Sequence, residues 1–190
     1  TALSGSIALA EDRRRYGIAG FNAQNGNVTI RSGIDIATIG EDTDGIGSLV
    51  DGGLATIDQQ GGTITTLGDA SAGIYVAGGN SKTRERTEPL GLFADITVAG
   101  TVETRGGSLV TAISDEADQE VFAYGIGLTA LDLQDEPGDN FGQNASAIVT
   151  ITETGRVYSE QVAAISEQLF PDFPEEGLVF TSVPIDTTLT

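Results

Sequence analysis

Apolar and small polar residues alternate over short stretches along most of this chain. Three such stretches follow one another at residues 27–30, 33–37 and 45–50. A period of two is the period of a strand with one buried face, so each stretch predicts a short β-strand. Glycine, asparagine and aspartate separate the stretches, and these residues are suited to tight turns. The pattern predicts an all-β chain, because glycine, β-branched residues and Asn or Asp are weak helix formers.

The three-strand pattern also repeats. The pair Gly-Ile occurs at residues 17–18, 45–46 and 73–74, with a spacing of 28 residues from each pair to the next. Self-similarity at a period of this size indicates a stack of equivalent structural units. Each unit is too small to bury a core alone, so its apolar face must be covered by its neighbours.

Laid over one another, the copies share three apolar positions, one in each strand. These positions hold Ile30, Ile57, Ile96 and Ile151 in the first strand, Ile7, Ile36, Ile64, Val102 and Val157 in the second, and Ile18, Ile46, Ile74, Ile113 and Ile165 in the third. A small residue precedes the third position in every copy, namely Gly17, Gly45, Gly73, Ala112 and Ala164. Stacked units would pair each strand in parallel with its equivalent about 4.8 Å away and fill the interior with these columns.

The fold predicted from this repeat is a right-handed parallel β-helix, a solenoid with coils of about 28 residues and protruding loops. An antiparallel sandwich is the alternative, since it also contains short strands at regular spacing. A sandwich does not explain why the third strand of every copy begins with a tiny residue followed by Ile. That column suits a solenoid corner, where there is room for only a hydrogen or a methyl group.

The regular pattern covers residues 1–168 and is interrupted near residues 80–93, 114–122 and 132–144. Insertions in solenoids are loops that leave the stack on one side, often the binding side. We therefore expect a contact surface on these loops; the alternative is tolerated decoration kept soluble by its charge. Residues 169–190 lose the glycine punctuation and gain Pro and Phe, as expected of a cap or of the start of a further coil. The candidate binding residues are Arg84, Arg86, Asp115, Glu116, Asp118, Asp135 and Glu136.

Aspartates precede the third strand in several copies and suggest a metal site. Stacked, they would form a column of carboxylates, and Ca²⁺ prefers oxygen ligands. The turn spacing differs between copies, however, and aspartate is common in turns for local hydrogen-bonding reasons alone. A calcium column and simple turn formation therefore both stay open, and no other cofactor is indicated. The candidate ligands are Asp12, Asp42, Asp44 and Asp69.

Composition narrows the classes of function. The 28 acidic residues against 9 basic ones give a formal charge of −19, and such a surface repels nucleic acid and anionic membranes. His and Cys are both absent, so the commonest general base and the sulfur nucleophile are missing, and we expect no enzymatic activity. No run approaches the 18 or so apolar residues of a membrane helix. The chain starts at Thr1 without a signal segment, so we expect a mature or excised piece of a longer protein.

Two segments resemble the passenger regions of bacterial autotransporters, in particular the pertactin-like β-helix class. These segments are residues 57–74 (IDQQGGTITTLGDASAGI) and residues 149–157 (VTITETGRV). The resemblance implies a secreted, surface-displayed β-helix of a Gram-negative bacterium, exported through an outer-membrane barrel that follows it in the chain. It carries over no catalytic residues, because no Gly-Asp-Ser-Gly segment of the protease members occurs here.

Three hypotheses for the function follow, in order of preference. The first is a non-enzymatic stalk or adhesin module, extracellular or on the bacterial cell surface, whose loops contact a host or neighbouring-cell protein or glycan. The second is a self-assembling subunit of an extracellular filament or surface layer, because open ends of a stack expose unpaired strand edges. The third is an enzyme that acts on polysaccharides, which would need clustered carboxylates or a Lys or Arg base in a groove.

Overall fold

The computed structural model describes residues 15–22, 26–80, 91–114, 117–134, 145–167, 173–175, 178–182 and 185–190. Within them every regular element is a β-strand, so the prediction of an all-β chain is confirmed. The strands are β1 (Arg15–Asn22), β2 (Val28–Ser32), β3 (Ile36–Thr38), β4 (Thr43–Asp51), β5 (Ala55–Gln59), β6 (Thr63–Thr66), β7 (Ile74–Asn80), β8 (Gly91–Val98), β9 (Thr101–Thr104), β10 (Ser108–Ser114), β11 (Ala117–Phe122), β12 (Ile126–Gln134), β13 (Ala145–Ile151), β14 (Arg156–Ser159), β15 (Ile165–Glu167), β16 (Phe173–Glu175), β17 (Leu178–Ser182) and β18 (Ile185–Leu189). No helix in the described part is long and apolar enough to cross a membrane.

Three long sheets and one hairpin contain all of these strands. Sheet A has the order β1-β4-β7-β12-β17-β16, with β15 also paired to β12. Sheet B has the order β2-β5-β8-β13-β18, and sheet C the order β3-β6-β9-β14. Strands β10 and β11 form a separate antiparallel hairpin.

The chain visits the sheets in a fixed order, B, then C, then A. Unit 1 consists of β2, β3 and β4, unit 2 of β5, β6 and β7, unit 3 of β8, β9 and β12, and unit 4 of β13, β14 and β15. Equivalent strands of successive units pair in parallel. The sheets are therefore built one strand at a time, by units that stack, and this arrangement is consistent with a β-helix.

The predicted apolar columns make up the core. Across sheet C, Ile36 pairs with Ile64, Ile64 with Val102 and Val102 with Val157, as predicted. Ile64 is 0% exposed in the middle of the stack, and Ile36 in unit 1 is 8% exposed. Full burial of such a side chain contributes about 1.5–3 kcal/mol relative to an exposed one, so these columns are the main source of stability.

One residue of the third column was wrongly predicted. Ile113 lies in β10, and its predicted place is taken by Ile126, which pairs with Ile74 on one side and Ile165 on the other. The hairpin is inserted before the third strand of unit 3, and a small residue followed by Ile occurs on both sides of β11. Sequence spacing alone could not decide between Ala112-Ile113 and Gly125-Ile126.

One residue of the first column was also wrongly predicted. Ile151 pairs with Val98, whereas Val149 is the partner of Ile96. Residues two apart on a strand face the same side, so both Val149 and Ile151 fit the apolar pattern. The register is set by an irregularity between Ser146 and Ala147, which the pattern does not reveal.

The predicted insertions are partly regular structure. Residues 132–134, which we expected in a loop, are the end of β12, and residues 117–122 form β11. Farther along, β17 pairs antiparallel with β12, and β18 pairs parallel with β13. The division at residue 168 and the assignment of residues 169–190 to a cap or a further coil stay predictions.

Candidate functional site: the corners of the stack

The segments that lead from sheet C to sheet A, which we call the C–A corners, contain a repeated set of polar contacts. They run over residues 38–43 in unit 1 and 66–71 in unit 2, and in unit 3 their described part is residues 104–114 and 117–123. Each begins with a buried threonine whose hydroxyl donates to a main-chain carbonyl on the far side of the corner. The bonds join Thr38 Oγ1 to Thr43 O (2.9 Å), Thr66 Oγ1 to Ser71 O (3.0 Å) and Thr104 Oγ1 to Ala123 O (3.1 Å). The hydroxyl fixes where the next strand of sheet A starts, whatever the length of the corner.

Sequence reasoning missed these threonines as structural residues, although a signal was present. Thr38, Thr66 and Thr104 each follow the apolar column residue by two positions and precede a glycine by two positions. An isolated Thr in a strand reads as an outward-facing residue. Its repetition in front of a glycine indicates instead an inward hydroxyl that bonds to a turn.

Asp42 is explained by the backbone of the corner. Asp42 and Ala70 occupy equivalent positions, and both have a positive φ, 49° and 56°. Aspartate enters the left-handed region more readily than most residues, which is a sufficient reason for Asp42 at this point. Its N–H donates to Asp69 O (2.9 Å) in the next unit, so the main chain at this position also joins successive corners.

Four Asn or Asp side chains at the corners join each unit to the next. Each accepts a hydrogen bond from the main-chain N–H of the equivalent residue one unit later. The bonds reach Asn27 Oδ1 from Leu54 N (3.0 Å), Asp35 Oδ1 from Thr63 N (2.8 Å), Asp44 Oδ1 from Ala72 N (2.7 Å) and Asp69 Oδ1 from Gly107 N (2.7 Å). The side-chain oxygen thus takes the place of a main-chain carbonyl where the strand pairing is interrupted, and a bond to a carboxylate contributes about 1.5–3 kcal/mol.

Two of the predicted metal ligands, Asp44 and Asp69, thus use a carboxylate oxygen to accept a hydrogen bond from the main chain. Asp44 is fully buried at the start of β4, and Asp69 is exposed in the corner of unit 2; Asp12 lies outside the described residues. Over the described ranges, no three or more His, Cys, Asp or Glu residues form a group that could hold a metal ion. Calcium binding stays a prediction; the positive φ explains Asp42, and hydrogen bonds to main-chain N–H groups explain Asp44 and Asp69, without a metal.

Glycines allow the corners to stack closely. A Cβ added to Gly68 would lie 1.7 Å from the carbonyl oxygen of Gly40 in the unit before it. A Cβ added to Gly45, the glycine of the Gly-Ile pair of unit 1, would lie 2.2 Å from Cγ2 of Ile64. The small-residue column predicted from the sequence thus has a steric cause: it faces the apolar column of sheet C across the corner.

The hairpin of β10 and β11 extends the corner of unit 3. The carbonyl of Gly107 accepts hydrogen bonds from the N–H groups of Ala70 (3.2 Å) and Ala123 (3.0 Å), so the two ends of the insertion are held together. Of the candidate binding residues, Asp118 lies in β11. The others lie outside the described residues, namely Arg84, Arg86, Asp115, Glu116, Asp135 and Glu136.

A buried glutamine adds a second link between units. Gln59 is fully buried at the end of β5, and its Nε2 donates to the carbonyls of Gly62 (3.3 Å) and Thr101 (3.2 Å). Within the part of the chain that the structure describes, Gln59 Oε1 and the Oγ of its strand partner Ser32 have no hydrogen-bond partner. The pattern analysis overlooked Gln59, although a long polar residue at an inward strand position is itself unusual.

The outer faces of the sheets contain weaker contacts. On sheet B, Arg31 Nε lies 3.8 Å from Asp58 Oδ2. At the end of β9, Arg105 Nη2 lies 2.8 Å from Glu103 Oε1, and all four side chains are at least partly in solvent. Exposed ion pairs of this kind contribute about 0–1 kcal/mol. Large apolar side chains are also exposed at Phe21, Ile39, Leu67 and Tyr158. Chemically, the corners bond mainly to the main chain of the stack, and the outer faces present both charged and apolar side chains to the solvent.

Comparison with known proteins supports an autotransporter-like relationship. The BrkA autotransporter of Bordetella pertussis (strain Tohama I / ATCC BAA-589 / NCTC 13251) is 37% identical to this chain over 105 residues. The match covers 50% of this chain and 10% of BrkA, so the chain spans about a tenth of the length of this relative. No family model matches the sequence, and no solved structure matches the chain.

Proposed function

We propose that this chain is part of a right-handed parallel β-helix that serves, outside the cell, as a stalk or adhesin module of passenger type. One observation carries the proposal: equivalent strands of units 1 to 4 pair in parallel, unit after unit, in all three sheets. A connection between parallel strands of one sheet is right-handed in nearly all proteins, hence the proposed hand. Such a stack is stiff, because each unit is bonded to its neighbours in all three sheets.

The similarity to BrkA supports secretion and display at the cell surface. The formal charge of −19 suits this role, since it keeps a repetitive chain soluble and opposes edge-to-edge association. The proposed function is contact rather than catalysis, since the hydroxyl of Thr66 and the carboxylates of Asp44 and Asp69 are engaged in bonds to main chain. The proposed partner is a protein or glycan on a host or neighbouring cell, contacted through the loops, and no cofactor is required.

Engineered disulfides test the architecture. Thr63 and Thr101 are register partners on β6 and β9, and Cα atoms of such partners lie about 4.8 Å apart, within the range that a disulfide spans. The chain has no native cysteine, so within one molecule, at low protein concentration, T63C and T101C can react only with each other. We expect oxidation to close this pair and leave T56C with T63C open, because Thr56 belongs to sheet B. The reverse result would contradict the stacked register.

Surface display is tested on intact cells of the source organism. Protease added outside the cells should remove the chain while a cytoplasmic marker survives. Beads coated with the purified chain should then adhere to cells more than beads coated with an unrelated acidic protein of equal charge. A chain protected from protease until the cells are broken would overturn the proposal of surface display, and turnover of a polysaccharide by the purified chain would overturn that of a non-enzymatic module.

A further inference from the structure

Asn27 differs from the other side chains that join one unit to the next. Among the four described corner acceptors, the three aspartates lie 2.7–2.8 Å from the main-chain N–H that they bind, and Asn27 Oδ1 lies 3.0 Å from Leu54 N. Charged acceptors form the shorter and stronger hydrogen bonds. An aspartate would therefore serve at least as well here, and the bond does not explain why residue 27 is an amide.

The amide nitrogen of Asn27 has no part in the stacking of the described units. Oδ1 accepts the bond from Leu54 N, whereas Nδ2 has no hydrogen-bond partner among the described residues. Asn27 is exposed, immediately before β2. The equivalent place in unit 2 holds Leu54, which precedes the partner of Val28 in β5 and has no amide side chain. The stack thus uses the oxygen of Asn27 and leaves its nitrogen free to react.

A threonine lies two residues after Asn27. Residues 27–29 read Asn-Val-Thr, which is the acceptor pattern for sugars linked to asparagine in exported proteins. Val28 is 8% exposed and belongs to the core, whereas Asn27 and Thr29 are both exposed. Residues two apart along an extended chain face the same side. The fold therefore presents the amide and the hydroxyl of this pattern on the same outer surface, at the start of sheet B.

We propose that Asn27 is the acceptor of an N-linked sugar. The donor is a sugar whose C1 is activated as a diphosphate ester, and the catalyst is a sugar transferase of the source organism. The bond between C1 and the diphosphate oxygen breaks, and the diphosphate leaves with the electron pair. A bond between Nδ2 and C1 forms, while one proton of Nδ2 passes to a base of the transferase. Oδ1 is not consumed, so the linked side chain can still accept from Leu54 N.

The modification is compatible with the stacked fold. A linked sugar is bulky and solubilising, and it requires a place at the surface. Asn27 provides such a place, because the chain enters the core only with Val28 and Ile30, which are both buried. The inference rests on the export that the proposed function requires, and it adds a covalent group to the outer surface of the stack.

Mass spectrometry of the chain taken from cells of the source organism tests the inference. Trypsin cuts after arginine and releases residues 16–31 as one peptide. This peptide also contains Asn22 and Asn25, which lack a Ser or Thr two positions later and serve as internal controls. We expect the added mass of at least one sugar residue, located at Asn27 by fragmentation of the peptide. An unmodified peptide, or a sugar at Asn22 or Asn25 instead, would overturn the inference.

Matched variants separate recognition by the transferase from a role in the fold. T29A removes the hydroxyl but leaves Asn27 and its bond to Leu54 unchanged, so we expect the sugar to be lost and the fold retained. T29S restores a hydroxyl and should restore the sugar. N27D keeps an acceptor oxygen, as at Asp35, and should fold without a sugar. Far-UV circular dichroism checks the fold of each variant, and a sugar that persists in T29A would count against the inference.

The size of the added group distinguishes two donors of the same chemistry. A single sugar residue indicates transfer from a nucleotide-activated sugar, and a block of several indicates a lipid-linked oligosaccharide. The peptide is measured from whole cells, independently of protease accessibility. A sugar on a chain that external protease does not reach would therefore overturn only the proposed surface display, whereas an accessible chain without a sugar would overturn only this inference.

Discussion

The corners of units 2 and 3 differ greatly in length but share one threonine hydrogen bond. Four residues separate Thr66 from Ser71, whereas an entire hairpin lies between Thr104 and Ala123. In both corners, the hydroxyl of a threonine at the first end donates a hydrogen bond to a main-chain carbonyl at the second end. The stack therefore constrains the two ends of a corner but not the length of the segment between them. An insertion is tolerated where its ends are already held together, since lengthening a loop adds little closure entropy.

If the ends of the corners are specified, their glycines should be equally intolerant in both units. A Cβ on Gly68 would lie 1.7 Å from Gly40 O, and one on Gly106 would lie 1.8 Å from Gly68 O. We expect G68A and G106A each to lower the free energy of unfolding by about 3 kcal/mol, because main chain has to move. Urea unfolding followed by circular dichroism measures this. G33A is the control, since a Cβ there meets nothing within 4 Å; a tolerant G106A would show that the hairpin corner is looser.

The buried carboxylate of Asp44 tests the links between corners. D44A should lower the free energy of unfolding by about 2–3 kcal/mol, because the N–H of Ala72 loses a charge-assisted acceptor. D44N retains a carbonyl oxygen and should lose less. Thermal unfolding with and without calcium separates the two explanations of this residue. If Asp44 instead held a metal, both variants would abolish a calcium-dependent gain in stability.

The threonines give the sharpest contrast between the short and the long corner. T66V should lower the free energy of unfolding by about 2 kcal/mol, since the Ser71 carbonyl loses its hydroxyl donor in a buried place. T104V should lower it by only about 1 kcal/mol, because the Ala123 carbonyl keeps a second donor, Ser159 Oγ at 3.1 Å. Urea titrations of both variants, with T66S as a conservative control, measure the difference. Equal losses would mean that the hydrogen bond from Ser159 Oγ does not compensate for the lost hydroxyl of Thr104.

The outer faces should give the smallest effects. Asp58 is paired with Arg31 at 3.8 Å on the exposed side of sheet B, and D58N should change the free energy of unfolding by less than about 0.5 kcal/mol. Salt should reduce even this difference, because exposed charges are screened. A loss comparable to that of T66V would place an important contact on the outer face and weaken the contrast with the corners.

Much of the fold was predictable from periodicity. The alternation of apolar and small residues identified the strands, and the spacing of 28 residues identified the stacking of Ile36 on Ile64 and of Ile46 on Ile74. The pattern failed after the hairpin, where Ile113 was placed in the column that Ile126 occupies. A period cannot be followed through an insertion of unknown length. The apolar pattern also cannot distinguish residues two apart on a strand, because they face the same side of the sheet.

Less of the candidate site was predictable. The aspartates were predicted as turn residues or metal ligands; in the structure Asp44 lies in β4, and Asp44 and Asp69 accept hydrogen bonds from main-chain N–H groups of the next unit. Those partners are 28 and 38 residues away in the chain, so no local motif reveals them. The binding residues that we expected on the loops remain predictions, apart from the position of Asp118 in β11.

The sequence by itself determined the all-β character of this chain, the size of its repeating unit and the small-residue column, because each of these follows from local propensity and side-chain volume. The tertiary structure alone decided which strand pairs with which after an insertion, and which polar side chains turn inward. Those choices depend on contacts between residues that are far apart in the chain and lie in neighbouring units, where a hydroxyl or carboxylate bonds to an otherwise unpaired main-chain group. A repeat can therefore be counted in the sequence, but the bonds that hold its corners exist only once the units are stacked.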